Sequence, residues 1–222
     1  MTLVSSGFRR IISLSPSVTE NLFAIGAGDR VVGVTTVCDF PETARNLPRV
    51  GDFRRPSWER ILASRPDAVI VESATIQDAD IARIRERVGC RVEVLRPRTV
   101  DDVLANLNRL GAWCARSRET SAIVRRLNAR VSAVRRRAAG RPRRRVFVEV
   151  SETPLYAAGP GSFVDDLIRL AGGVNAVGGR EPFPMVSKEM LLSANVDVYV
   201  VAAKAGGDAV SRPLARGARV LV

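Results

Sequence analysis

The chain has 222 residues, a formal net charge of +12, 46% hydrophobic residues and no histidine. The length allows two lobes of roughly 90 to 100 residues, each with a modest core of its own. No apolar run approaches the roughly 20 residues of a membrane-spanning helix, so an integral membrane protein is not expected. The absence of histidine excludes Ser-His-Asp triads and sites in which histidine binds zinc or haem iron.

Charge and cysteine usage narrow the possible partners. Arginine carries almost all of the positive charge, because Lys188 and Lys204 are the only lysines. The arginines are spread over predicted helix faces and turns, and no basic stripe with interleaved aromatic residues occurs, so no nucleic-acid partner is predicted. Three widely spaced cysteines form no zinc or disulfide framework and are predicted to be small buried residues: Cys38, Cys90 and Cys114.

The first part of the chain alternates predicted strands and helices. Residues 10–15 form an apolar run typical of a buried parallel strand, and Ser17-x-x-Glu20 is predicted to be a capping box that opens a helix ending at Gly26. A long loop rich in Pro, Asp and Arg leads to a helix that begins at Ser57. The remaining elements predicted here are strands at residues 31–34, 68–71 and 92–95 and a helix near residues 80–87.

The middle of the chain is predicted to be helical. Residues 100–139 lack proline and place apolar residues at a helical period, with a polar gap near residues 117–121. This pattern indicates one long helix or two abutting helices, up to about 60 Å in length. A helix of that length can connect two lobes, and its basic end leads into the second half of the chain.

The second half repeats this plan. Strands are predicted at residues 146–150 and 198–201, and a helix at about residues 162–170. A loop with Pro154 and Tyr156 follows the first of these strands, and a helix begins at Ser187. Residues 209–222 resemble residues 83–95, so the chain is expected to end inside an edge strand of the second sheet, with the C-terminal lobe truncated.

An internal repeat relates the two halves. Residues 57–71 match residues 187–201 with Ser, Glu, Leu, Asp and Val in register, and a second match joins residues 22–33 to residues 167–178. Repeats of this length in the same order predict two similarly folded lobes with a cleft between them. In each lobe a Ser opens a helix with a Glu in its first turn, which gives a matched pair of exposed carboxylates.

These patterns together define a fold class. Strands that alternate with helices predict parallel sheets with right-handed crossovers. We therefore predict an α/β fold of two Rossmann-like lobes joined by one long α-helix, with a ligand cleft between the lobes. The predicted limits are residues 9–98 for the N-terminal lobe, 99–140 for the connecting helix and 143–222 for the C-terminal lobe.

Five motifs occur in a characteristic order. They are RIISLSPSVTE from Arg10, CDFP from Cys38, LPRVG from Leu47, the stretch from Glu59 to Asp67, and FPMVSKE from Phe183. Together these motifs cover nearly the whole chain, and they resemble the periplasmic binding proteins of ABC importers for cobalamin, haem and iron-siderophores, most closely the cobalamin-binding branch. The resemblance implies a receptor, not an enzyme, that captures a corrinoid between its lobes and delivers it to the importer.

The resemblance also assigns ligand-binding residues. Phe40 and Phe53 would line the cleft from the first lobe, and Tyr156 and Phe183 from the second. Aromatic faces of this kind suit a large, flat, partly apolar ligand. Arg54, beside Phe53, is a candidate partner for a carboxylate or phosphate of the ligand, although a solvated loop explains it equally well. The alternative for each aromatic residue is a place in the ordinary core.

Glu59 and Glu189 are the predicted docking residues. In the family that the motifs resemble, one glutamate on each lobe binds arginine pockets of the two membrane subunits. The helix macrodipole also favours a Glu in the first turn of a helix, and duplication could retain the pair passively. The dipole alone does not explain Ser-x-Glu at matched places in both lobes.

Several alternatives stay open. Within binding proteins, a haem or ferric-siderophore receptor is the second choice, partly because positions where cobalamin binders often carry Trp hold Phe53 and Phe183. A nucleotide-using α/β enzyme and a degenerate pair of lobes that only binds a partner are further possibilities. A monomer without a bound metal or covalent cofactor is expected. Residues 1–10 lack the apolar core of a signal peptide, so the protein is either cytosolic or, as the family implies, periplasmic or extracellular and membrane-associated after loss of a leader.

Overall fold

The computed structural model describes residues 7–52, 55–72, 78–201 and 219–221. The chain divides into two compact units. Unit 1 comprises Met1–Pro97 and Asp101–Leu127, and unit 2 comprises Arg98–Val100 and Asn128–Val222. Each unit contains one β-sheet with helices packed against it.

Unit 1 is built on a parallel sheet of four strands in the order β2-β1-β3-β4. The two central strands consist of short apolar runs whose side chains are almost all buried, as expected for a parallel sheet covered on both faces. The strands are β1 (Ile11–Ser13), β2 (Val31–Val34), β3 (Ala68–Glu72) and β4 (Arg91–Leu95).

Four helices accompany this sheet: α1 (Pro16–Ala24), α2 (Trp58–Ala63), α3 (Asp78–Val88) and α4 (Val100–Trp113). The core on one face joins Ile61 of α2 and Ile84 of α3 to Ile12 and Val69 of the sheet. Each of these side chains is fully buried, and full burial of an Ile or Val side chain stabilises the fold by about 1.5–3 kcal/mol. These contacts hold α2 and α3 against one face of the sheet.

The start of α1 differs from the prediction. The helix begins at Pro16, with Ser15 in extended conformation as its N-cap and no side-chain cap, so the expected capping box at Ser17 is wrong. Proline is favoured at the first helical position because its fixed φ and missing N–H suit that position. The hydroxyl of Ser17 instead binds the hydroxyl of Ser15, at 2.8 Å, and the carboxylate of Glu72.

The predicted connecting helix is interrupted. Helix α4 ends at Trp113, and α5 (Ser117–Ala138) begins after a break at which Ala115 has a φ of +48°. The two helices approach closely there, since a Cβ on Gly111 would lie 2.2 Å from the Thr120 hydroxyl. The boundary between the units falls within α5. In the part of the chain that the structure describes, no helix is long and apolar enough to cross a membrane.

Unit 2 contains a mixed sheet of five strands, with helices α6 (Phe163–Leu170) and α7 (Lys188–Ser193). A hairpin replaces the loop predicted around Pro154, because residues 155–157 form a strand antiparallel to the preceding one. The other pairings in this sheet are parallel. The strands are β5 (Arg145–Glu152), β6 (Leu155–Ala157), β7 (Val174–Asn175), β8 (Val198–Val201) and β9 (Arg219–Leu221).

The internal repeat is visible in the strand order, since β2-β1-β3-β4 of unit 1 corresponds to β7-β5-β8-β9 of unit 2. It extends to single hydrogen bonds. Asp67 accepts the N–H of Arg10 at 3.0 Å, and Asp197 accepts the N–H of Arg145 at 2.7 Å. Arg65 and Asn195, at matched places, both adopt a left-handed backbone with φ of +43° and +47°. The predicted α/β fold is confirmed.

Candidate functional site

Phe40 lies on a firmly anchored loop that follows β2. The buried thiol of Cys38 contacts the hydroxyls of Thr19 and Thr35, at 3.3 and 3.0 Å. The guanidinium of Arg49 donates to the carbonyls of Thr35 and Cys38, at 2.9 and 2.7 Å. Hydrogen bonds from a charged donor are stronger than neutral ones, so Arg49 stabilises the conformation of this loop.

On this anchored loop, Phe40 is 63% exposed. It is therefore not part of the core, the alternative considered for it above. Its loop follows the carboxyl end of a parallel strand, which is where open α/β sheets place their ligands. Phe53 and Arg54, the other two residues predicted for this site in unit 1, lie outside the described residues.

In unit 2 the segment 181–186, which we call the aromatic strap, runs antiparallel to β6. Three backbone hydrogen bonds fix the register between the strap and the segment that contains β6. Ala157 N–H donates to Pro184 at 3.1 Å, Gly159 N–H to Pro182 at 2.8 Å, and Val186 N–H to the carbonyl of Leu155 at 2.9 Å. The strap thus occupies the free edge of the hairpin and positions Phe183.

The aromatic strap and β6 expose a group of large apolar side chains. Tyr156 is 38% exposed, Phe183 51% and Met185 66%. Tyr156 and Met185 are partners in a β-bridge, so their side chains leave the same face. Sequence reasoning missed Met185, although a methionine between proline and a buried valine is an adaptable apolar contact and could have been noticed.

Gly159 permits the close approach of the strap. A Cβ at this position would lie 2.2 Å from the carbonyl oxygen of Glu181 and 2.8 Å from the Pro184 ring. Distances this short are not found between real Cβ atoms and their neighbours. Any larger residue must therefore move the strap away from the loop that follows β6.

A buried carboxylate, that of Asp165, stabilises the loop that follows β6. Asp165, only 3% exposed, accepts hydrogen bonds from the N–H of Gly161 and the amide of Asn175, both at 3.1 Å. The same Asn175 amide donates to the carbonyl of Ala158 at 3.0 Å, and Arg169 pairs with Asp165 at 3.0 Å. A buried charge is tolerated when it is paired and hydrogen-bonded in this way. No sequence pattern had indicated this network.

The predicted docking glutamates have matching local environments. Ser57 caps α2 by accepting the N–H of Arg60, and Ser187 caps α7 by accepting the N–H of Met190. Glu59 and Glu189 follow in the first turn, and both are exposed. The Glu189 backbone N–H and the Ser187 hydroxyl, helped by Lys188, lower the pKa of Glu189, which therefore keeps its charge to a lower pH than an isolated glutamate.

The cysteines have structural positions. Cys38 and Cys114 are buried as predicted, whereas Cys90 is half-buried. Burial raises the pKa of the Cys114 thiol to about 11, so it stays protonated and unreactive near neutral pH. Across the described ranges, no three His, Cys, Asp or Glu side chains lie close enough together to hold a metal ion.

Comparison with known proteins places the chain in a family. The sequence matches the periplasmic binding protein family over residues 11–214. This chain therefore belongs to the periplasmic binding protein family, the class of solute-binding proteins that its motifs resemble.

Proteins similar to this chain include vitamin B12-binding and heme-binding proteins. The vitamin B12-binding protein of Salmonella typhimurium is 30% identical over 198 residues, which are 89% of this chain and 73% of the relative. The periplasmic vitamin B12 binding protein BtuF of Vibrio cholerae superposes with a TM-score of 0.81 at 28% identity, covering 88% of this chain and 76% of the other. The heme-binding protein RhuT from Roseiflexus sp. RS-1 superposes with a TM-score of 0.76 at 29% identity and the same coverage.

Proposed function

We propose that this protein is a receptor that captures a corrinoid and delivers it to an ABC importer. The observation that carries the proposal is the combination of similarity to vitamin B12-binding proteins over 89% of this chain with exposed aromatic side chains on anchored segments. A receptor function requires no catalytic group, and we propose none. The protein acts as a monomer on the outer, periplasmic side of the cytoplasmic membrane.

The proposed ligand contacts come from both units. Unit 1 contributes Phe40, together with Phe53 and Arg54, and unit 2 contributes Tyr156 and Phe183, to which the structure leads us to add Met185. A corrin ring is broad and largely apolar, and each aromatic side chain buries about 150–250 Å² with little loss of side-chain entropy. The anchored loops leave little conformational entropy to be lost on binding.

A haem or ferric-siderophore receptor is the alternative. Its support is the similarity to a heme-binding protein, at an identity close to that of the B12-binding relatives. The net charge of +12 also favours anionic ligands such as haem propionates or carboxylate chelates.

An absorbance titration separates the two ligand classes. Cyanocobalamin and haemin are titrated separately into the purified full chain, and each affinity is determined. The proposal predicts saturable cobalamin binding at one site, at least about tenfold tighter than haemin, a difference of about 1.4 kcal/mol. Tighter haemin binding would replace the corrinoid with haem, and failure of both ligands to bind would contradict the corrinoid proposal and its haem alternative.

We further propose that Glu59 and Glu189 are the contacts with the importer. Both side chains are exposed, each lies in the first turn of a helix capped by serine, and the pKa of Glu189 is lowered. A carboxylate that stays ionised suits an arginine pocket, because charge-assisted bidentate pairs are both strong and geometrically specific. One carboxylate per repeat fits a partner with two equivalent membrane subunits.

A further inference from the structure

Helices α2 and α7 occupy matched places in the internal repeat, and their sequences are WERILA and KEMLLS. Glutamate is the second residue and leucine the fifth in both helices, which gives Glu59 and Leu62 in α2 and Glu189 and Leu192 in α7. The first, third and sixth positions differ between the helices, and the fourth is buried in both and holds Ile or Leu. The two positions at which the helices are identical are therefore both exposed.

The exposed leucines are not explained by core packing. Leu62 is 47% exposed and Leu192 57%. In unit 1 the neighbouring helix α3 packs against α2, with Ile61 and Ile84 in one core cluster, and Leu62 stays exposed beside it. The exposure of Leu62 is therefore a property of the packed unit. Packing accounts for the buried fourth position of each helix, but not for a leucine that both repeats retain on the surface.

Each leucine lies on the same side of its helix as the glutamate. Residues three positions apart on an α-helix are neighbours, with Cβ atoms about 5–6 Å apart. The capping serine also orients the carboxylate, because the Ser57 hydroxyl donates to Glu59 at 3.3 Å and the Ser187 hydroxyl is hydrogen-bonded to Glu189. Each unit thus presents a carboxylate beside an apolar side chain. We call these two groups the glutamate-leucine pairs: Glu59 with Leu62, and Glu189 with Leu192.

We propose that each glutamate-leucine pair docks on one membrane subunit of the importer, with the leucine in an apolar pocket beside the arginine that binds the glutamate. This inference rests on the proposed docking role of the glutamates and adds the chemistry of the partner surface. Exposed ion pairs contribute little affinity and are screened by salt, whereas burial of an apolar side chain is not screened. The leucines therefore provide the part of the affinity that the carboxylates cannot.

The chemistry of the pair favours a protein partner over the membrane itself. An anionic lipid surface repels the carboxylate beside each leucine, so lipid does not satisfy both members of a pair. A surface that offers only arginine would leave both leucines in water. A membrane subunit with a guanidinium group next to apolar side chains satisfies both, and two equivalent subunits match one pair per repeat.

Binding of the chain to the importer reconstituted in lipid nanodiscs tests the proposal. Leu62→Gln/Leu192→Gln removes both apolar side chains while keeping the glutamates and the net charge. Because about half of each leucine is left to be buried, we expect each substitution to weaken the complex about fivefold and the double variant about 25-fold. Val134→Gln is the matched control, since Val134 is 45% exposed on α5 and should not affect the complex.

Salt separates the leucines from the glutamates. The loss caused by Leu62→Gln/Leu192→Gln should be the same at low and high salt, whereas the loss caused by Glu59→Arg/Glu189→Arg should shrink at high salt. Leu62→Met/Leu192→Met should bind almost normally, because methionine is a similarly large apolar side chain. All leucine variants should keep the melting temperature and the cobalamin affinity of the wild-type chain, which separates a lost contact from misfolding.

The possible outcomes distinguish this inference from the docking role on which it rests. Wild-type affinity in Leu62→Gln/Leu192→Gln, or an equal loss in Val134→Gln, would overturn the leucine contact and leave the docking glutamates in place. A wild-type chain that forms no complex, or a Glu59→Arg/Glu189→Arg variant that binds normally, would contradict the docking role itself. Leucine-dependent binding to nanodiscs without importer, or a leucine-dependent dimer in light scattering, would assign the leucines to lipid or to a second copy and overturn the proposal.

Discussion

The exposure of Phe40 depends on a few single residues that anchor its loop. The motif predicts that Phe40 belongs to the ligand site proposed here, but its exposure depends on contacts that the sequence does not display. Cys38 was predicted only to be a small buried residue, and it also joins the hydroxyls of Thr19 and Thr35, which are distant in sequence. Arg49 donates hydrogen bonds to two carbonyls of the same loop. The sequence did not indicate this role, because nothing in it distinguishes Arg49 from the many other arginines.

The state of Glu189 provides a prediction at this scale. Ser187→Ala removes the hydroxyl that helps to lower the pKa of Glu189, so that pKa should rise toward its ordinary value. A pKa lowered by folding means that the charged carboxylate stabilises the native state above its unfolded pKa, and that this contribution is lost as the pH falls through the folded value. Carbon-13 NMR of the Glu189 carboxyl group during a pH titration measures the change.

Ser193→Ala is the control for this experiment. Ser193 is at the other end of α7 and donates to the carbonyl of Met190, so its removal should leave the Glu189 titration unchanged. An unaltered midpoint in Ser187→Ala would show that the serine does not hold the carboxylate.

Secondary-structure elements were predictable where the apolar pattern is clear. The central strands are short apolar runs, and the capped helices at Ser57 and Ser187 carry local signals that agree with their packing. Strand β6 was missed because Thr153-Pro154 resembles a loop and because its pairing depends on the distant strap. The sequence pattern allows either one long helix or two abutting helices at the break between α4 and α5, because the close approach of Gly111 to Thr120 exists only after folding.

The strap offers a prediction at the scale of elements. Gly159→Ala should lower the free energy of unfolding by about 1–3 kcal/mol, the usual effect of inserting a methyl group into a closely packed site. It should also weaken cobalamin binding, because the strap that carries Phe183 must move. Urea denaturation and the cobalamin titration measure the two effects.

Gly178→Ala is a matched control, because no atom lies within 4 Å of a Cβ built there. It should retain both stability and affinity. If Gly159→Ala behaved like this control, the strap would not depend on the close contact at Gly159.

At the scale of the whole molecule, the repeat was the most reliable signal. The match of residues 57–71 with residues 187–201 predicted two units of similar topology, and the two sheets do share a strand order. Asp67 and Asp197 make the same hydrogen bond in each unit, so each repeat preserves residues that stabilise its own sheet. The proposed ligand site was less predictable, since the exposure of Tyr156, Phe183 and Met185 depends on strand pairing within unit 2.

The account as a whole rests on a receptor that engages its importer through one glutamate per repeat. The most direct test is cobalamin uptake by the importer reconstituted in vesicles, supplied with the wild-type chain or with Glu59→Arg/Glu189→Arg. We predict that the double variant binds cobalamin with unchanged affinity but no longer supports uptake, because arginine repels the arginine pockets proposed for the importer. Uptake at the wild-type rate would contradict this account.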